Sequence, residues 1–169
     1  MDSSESPMEE TSGKSAFHEA MRRTYGSLEE PQFHFVQEVF NRTPYREIME
    51  ALSSKYQIID DTDINCEVCF TYMVQCERYL AVRLSMVAPY ASIFSTGIDG
   101  FGKIESISSL ADCAGEGEIE VYETLSANGF KILSMDDLKS IVKMHKDDNR
   151  TTTTVYSAFF GSDEDVFYD

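Results

Sequence analysis

Apolar positions recur first at helical spacing and then at strand spacing. Phe17, Ala20 and Met21 stand at i, i+3 and i+4, and Phe33, Val36 and Phe40 continue the pattern more weakly. After Thr43 the stripe Tyr45, Ile48, Met49 and Leu52 predicts a helix. Thr43 suits its N-cap and Pro44 its first position, where a missing N–H has no partner to lose. From Tyr56 the period drops to two. Val68, Phe70, Tyr72 and Val74 alternate with Glu67, Cys69, Thr71 and Met73, and Leu80, Val82, Leu84 and Met86 with Ala81, Arg83 and Ser85. This spacing predicts two antiparallel strands joined at Gln75 to Arg78, a third strand at Tyr90 to Ser95 and an edge strand at Gln57 to Asp60.

The second half returns to helices. Glu116 to Asn128 reads as a helix burying Ile119, Tyr122 and Leu125, closed by Gly129 where a left-handed residue is wanted. Phe130 to Leu133 reads as a short strand. Ser134 with Asp137 resembles a capping box, opening a helix with Met135, Leu138, Ile141 and Val142 on one face. Beyond the polar break HKDDNR, the β-branched run Thr151 to Val155, extended by YSAFF, predicts a final strand. Strands that follow one another without intervening helices indicate an α+β fold. The expected architecture is a single domain with a mainly antiparallel sheet of about four to five strands and helices packed on one face.

A chain of 169 residues suffices for one core. Residues 1–14 hold too few apolar groups to offset the entropy of ordering and are expected as a flexible tail; the domain is assigned to 15–161. Residues 162–169 form an acidic, aromatic C-terminal tail.

Charge narrows the function classes. Against 30 acidic residues stand 14 basic ones, a formal net charge of −16. Such a field repels nucleic-acid phosphates and anionic lipid, so neither nucleic acid nor membrane is an expected partner. The short basic runs Arg22-Arg23 and Lys139 to Lys146 lie among acids. No segment reaches the roughly 18 apolar residues of a membrane helix, and the N-terminus lacks the basic-then-apolar pattern of a secretory signal. A cytoplasmic location is expected, with the cysteines as thiols.

Three of the 4 cysteines, Cys66, Cys69 and Cys76, crowd one segment. If 67–75 is a strand, Cys66 and Cys69 point to opposite faces about 10 Å apart along the chain, too far for one zinc with Zn–S near ~2.3 Å. Cys113 has no histidine nearby in sequence, and no metal ligand is assigned. Gly97 to Lys103 agree with the phosphate-binding loop G-x-x-x-x-G-K, but Ile104 replaces the hydroxyl that holds Mg²⁺, and Asp99 opposes phosphate. A Gly-rich turn is the expectation there, without cofactor. His18, His34 and His145 read as surface or capping residues, and Asp60-Asp61, Asp136-Asp137 and Asp147-Asp148 as turn and cap residues. Neither G-x-S-x-G nor H-E-x-x-H occurs, so no catalytic residue is assigned and an enzyme is not expected.

The acids themselves are the strongest signal. Glu116, Glu118, Glu120 and Glu123 on the helix, and Asp163, Glu164 and Asp165 beside Phe167 and Tyr168 in the tail, are the candidate partner-binding residues. Carboxylates steer a basic partner while rings fill its pockets. In size, acidity and element order across residues 16 to 160 the chain resembles bacterial immunity proteins, which block toxin active sites by charge complementarity. The resemblance implies a non-enzymatic module for a basic protein surface, and it carries no residue roles. Two alternatives stand beside it: an acidic secretion-chaperone-like homodimer that binds an unfolded segment, and an enzyme of unknown reaction.

Overall fold

A computed structural model of the chain describes residues 7–96, 104–147 and 149–161. The segment of alternating apolar positions forms the sheet. β1 (Gln57–Asp60), β2 (Cys69–Gln75), β3 (Tyr79–Ser85) and β4 (Tyr90–Ser95) make an antiparallel meander, with Phe70 opposite Leu84, Tyr72 opposite Val82 and Val74 opposite Leu80. The end of β4 pairs antiparallel with β5 (Glu105–Ser106), and its start pairs in parallel with β6 (Lys131–Ile132). The sheet is mainly antiparallel and the fold is α+β, as the spacing implied. β7 (Ile141–Asp147) and β8 (Arg150–Thr154) form a separate two-stranded ribbon.

Both faces of the central strands are buried, and this decides where the helices sit. One face carries Phe70, Val74, Leu80, Val82, Leu84 and Ile93. It meets α2 (Phe35–Arg42) through Phe40, stacked on Phe70 at 6.2 Å, and the start of α3 (Arg46–Ser53) through Tyr45, edge-on to Phe70 at 5.6 Å. The opposite face carries Cys69, Thr71, Ala81 and Phe94, all buried. It meets α6 (Val155–Phe159) through Tyr156, whose ring lies 6.4 Å from that of Phe94 and 6.0 Å from the Arg83 guanidinium. Phe17 of α1 (Pro7–Tyr25) joins there beside Tyr90 and Phe159. Helical cover therefore extends to both faces rather than the one expected. Of the polar alternates on this face, Arg83 lies under the Tyr156 ring and buried Thr71 donates its hydroxyl to Glu67 at 2.9 Å.

Four local expectations change. α1 begins at Pro7, so it includes residues 7–14, which had been assigned to a tail; proline suits the first turn of a helix because its missing N–H has no partner there. Thr43 is the left-handed C-cap of α2 (φ 44°), its N–H bonded to the carbonyls of Val39 and Phe40, and Tyr45 occupies the N-cap of α3. Ser134 does cap α5 (Met135–Lys139), accepting the Asp137 N–H at 3.2 Å, but the helix stops there. Ile141 opens β7 with 54% exposure while Val142 and Met144 are buried, because pairing with β8 imposes the period of a strand. The run YSAFF is not strand: Thr154 accepts the Ser157 N–H at 3.0 Å and starts α6. Every residue of α6 is buried, so packing overrides β propensity.

Candidate functional site

The candidate site is α4 (Glu116–Ala127) together with the β2/β3 turn that holds its N-terminus. The N-cap of α4, Gly115, has no side chain to accept the first free N–H groups. Glu77, in the turn, does so from outside the helix, accepting from Gly117 N at 2.6 Å and Glu118 N at 3.1 Å. A carboxylate at this helix end is also favoured by the dipole. The glycines permit the approach: a Cβ on Gly115 would lie 2.5 Å from the Glu77 carboxylate, and one on Gly117 3.0 Å from it.

Arg78, next in the turn, runs alongside. Its Nε donates to Glu118 Oε2 at 3.1 Å and its Nη2 to Glu118 Oε1 at 2.6 Å, while Nη1 reaches Glu105 Oε2 at 3.0 Å and Nη2 the Asp112 carbonyl at 2.9 Å. The backbone N–H groups of Arg78 and Ala114 also donate to Glu118. Burial would push the Glu118 carboxyl up; the hydrogen bonds and charge of Arg78, with the Ala114 N–H, outweigh it and hold the carboxyl below its usual range. Through Glu118 and Glu105, Arg78 joins hairpin, helix and β5.

Glu118 is therefore not part of an exposed docking face, contrary to expectation: it is 1% exposed. The buried face of α4 is Gly117, Glu118, Val121 and Leu125, and the expected Ile119 and Tyr122 are only partly covered. The inward stripe is displaced because Glu118, paired with Arg78, occupies a core position. Glu116, Glu120 and Glu123 lie at i, i+4 and i+7, on the other side of the helix. Glu116 and Glu123 are exposed. Glu120 is half-buried, accepting from Lys55 Nζ and from the Tyr56 hydroxyl, both at 2.5 Å. The Lys55 hydrogen bond, then that of Tyr56, draws the Glu120 carboxyl down, and the same bond pushes the Tyr56 phenol up to about 12.

Exposed acids also occur on α3 and around β1. α3 packs against both α4 and β1, and Glu47, Glu50, Asp60, Asp61 and Asp63 on or beside these elements are exposed, as is Ile59 on the edge strand. None was singled out from sequence as partner-binding, because they lie more than fifty positions from α4 (Glu116 onward); the only local signal is that Glu47 and Glu50 occupy the polar side of the Ile48, Met49 and Leu52 stripe. Glu77, Arg78 and Glu105 were also missed. A glutamate inside the inward stripe of α4 was the one hint that a buried cation existed. Asp163, Glu164, Asp165, Phe167 and Tyr168 lie outside the described residues, as does the glycine-rich segment 97–103.

The cysteines are separate from this site. Cys66 is exposed in the turn before β2, Cys69 is buried in the strand, and Cys76 and Cys113 are half-buried. Burial, then the charge of Glu67, pushes the Cys69 thiol up to about 12, and burial does the same for Cys76. Among the described residues no three His, Cys, Asp or Glu side chains converge on a possible metal position. His18 joins α1 to the ribbon: its Nδ1 lies 2.8 Å from the Lys14 carbonyl and its Nε2 accepts the Lys143 N–H at 3.1 Å. His34 stands at the N-cap of α2 without a side-chain capping bond. Among the described residues no helix is long and apolar enough to cross a membrane. No protein-family model, curated protein or solved structure matches the chain.

Proposed function

We propose that this chain is a non-enzymatic, cytoplasmic binding module whose acidic face, built on α4, receives the basic surface of a partner protein, in the manner of bacterial immunity proteins. One observation carries the reading. Glu116 and Glu123 are exposed on the outward side of α4, with Glu120 between them bonded to Lys55 and Tyr56, while the charges at the base of the same helix, Glu77, Arg78 and Glu118, are taken up by bonds within the fold. The helix is thus anchored by one set of carboxylates and presents another. Exposed carboxylates on α3 and around β1 enlarge the field that steers a cationic partner, raising its encounter rate more than its final affinity.

The test is capture of a basic protein from native lysate by the wild-type chain and by E116K/E123K, followed by association kinetics with that protein. The wild type is expected to retain the partner and the double variant to release it. The association rate constant is expected to fall by about tenfold or more as salt rises from ~0.05 to ~0.5 M, because the Debye length shrinks below the dimensions of the acidic face. An association rate indifferent to salt, or to the two reversals, refutes the electrostatic account.

A further inference from the structure

Away from the acidic face, a hollow of about 470 Å³ opens between the last turn of α1, the loop after it and the β7/β8 ribbon. Two hydrogen bonds fix its walls: Lys143 N–H to His18 Nε2 at 3.1 Å and His145 N–H to the Leu28 carbonyl at 2.8 Å. Gly26, at φ 79°, turns the chain out of α1 and along the hollow's rim, a conformation that L side chains rarely adopt.

Basic groups outnumber acidic ones in the described lining. Arg22, Lys143 and His145 all border the hollow, in a chain whose formal net charge is −16. Among the described residues none of the three side chains has a hydrogen-bond or ion-pair partner, whereas the neighbouring Arg23 is paired with Glu19 and Arg78 with Glu118. Among the described lining residues Glu29 is the one carboxylate, set against the side chains of Arg22 and Lys143. Hydroxyls complete the donor set. Thr151 and Thr152 line the ribbon side, and Ser27 Oγ accepts from the N–H groups of Glu29 and Glu30 (3.2 Å each), which leaves its own O–H to donate elsewhere.

Basic side chains gathered around a concavity, with no carboxylate partner among the described residues and with hydroxyl donors about them, are suited to an oxyanion carrying several acceptor oxygens. Arg offers a planar fork to two of those oxygens, and Lys a mobile point charge. The volume exceeds what one inorganic ion needs and falls within the usual range for small-molecule pockets. We propose that this hollow is a binding site for a small phosphate monoester, with its phosphate held by Arg22, Lys143 and His145. The site uses elements other than those of the acidic face, and neither reading depends on the other.

The test is a titration of the full chain, followed by amide NMR, with inorganic phosphate, with glucose 6-phosphate and AMP as phosphate monoesters, and with sodium chloride at matched ionic strength. Saturable shifts confined to residues 22–29, 143–145 and 151–152, with a Kd below about 1 mM for at least one monoester, are expected. R22A/K143A should weaken binding by at least about tenfold, and R22K should retain more of it than R22A. Both positions are exposed, so unchanged melting temperatures will show that the variants fold. Saturation by inorganic phosphate as tight as by either ester would overturn the ester assignment. Shifts that never saturate, that sodium chloride reproduces, or that survive R22A/K143A would overturn the site itself.

Discussion

Arg78 and Glu118 meet through two parallel hydrogen bonds, Nε to Oε2 at 3.1 Å and Nη2 to Oε1 at 2.6 Å, with the Glu118 side chain wholly shielded from water. A fork of this kind fixes both distance and orientation. It locks the turn of the β2/β3 hairpin to the first turn of α4, and the outward carboxylates of α4 owe their placement to it.

Removing one member of the pair strands the other charge. Glu118→Ala is expected to destabilise the fold by about 3 kcal/mol in urea unfolding at neutral pH. Because the Glu118 carboxyl titrates below its ordinary value, its stabilising contribution is complete above that value and fades as pH falls through the lowered one. The stability gap between wild type and Glu118→Gln should therefore be widest near neutrality and narrow in acid. A gap that widens in acid would contradict this sign.

Glu77 and Gly115 should be coupled. Glu77→Ala loses the external cap of α4, a cost of about 1 kcal/mol. Gly115→Ala costs more in the wild type, since its Cβ would sit 2.5 Å from the Glu77 carboxylate. The backbone of Gly115 is extended (φ −178°), so this cost is contact and not conformation. In the Glu77→Ala background the penalty of Gly115→Ala should largely vanish; additive effects in the double-mutant cycle would show that the contact is not the cause.

Thiol labelling should follow burial. Cys66, exposed, is expected to react first with a disulfide reagent in the native protein, Cys76 and Cys113 more slowly, and Cys69 only on unfolding. Mass spectrometry of partially labelled protein reads the order directly. Rapid native modification of Cys69 would mean that β2 opens far more readily than a central strand should.

The outward acids should be dispensable for folding. Reversing Glu116 and Glu123 to Lys is expected to shift stability by no more than about 0.5 kcal/mol for each residue, as both side chains are exposed. A much larger loss, seen in urea unfolding, would give these residues a role in holding α4 in place.

The sheet was the most legible part of the chain. β1 and β4 match the expected ranges Gln57 to Asp60 and Tyr90 to Ser95, and β2 and β3 overlap the two alternating runs between them, because a period of two is a local property. The end of the chain was misread for a related reason: Val155 to Phe160 has strand propensity, yet Thr154 caps a helix whose residues are all buried between sheet and ribbon. On α4, the acids at 116, 120 and 123 were legible as candidates. That Glu118 belongs to a different set was not, since its partner Arg78 lies forty residues earlier.

Amino-acid order alone determined the class of fold, the meander of strands, the Ser134 cap and the acidity of the molecule, all of which depend on neighbours within a few residues or on composition. Tertiary structure decided which acids face inward, which side of each strand is covered and where Arg22, Lys143 and His145 gather. Those outcomes depend on charges and rings brought together from distant positions, where desolvation and a single hydrogen-bond partner outweigh local propensity.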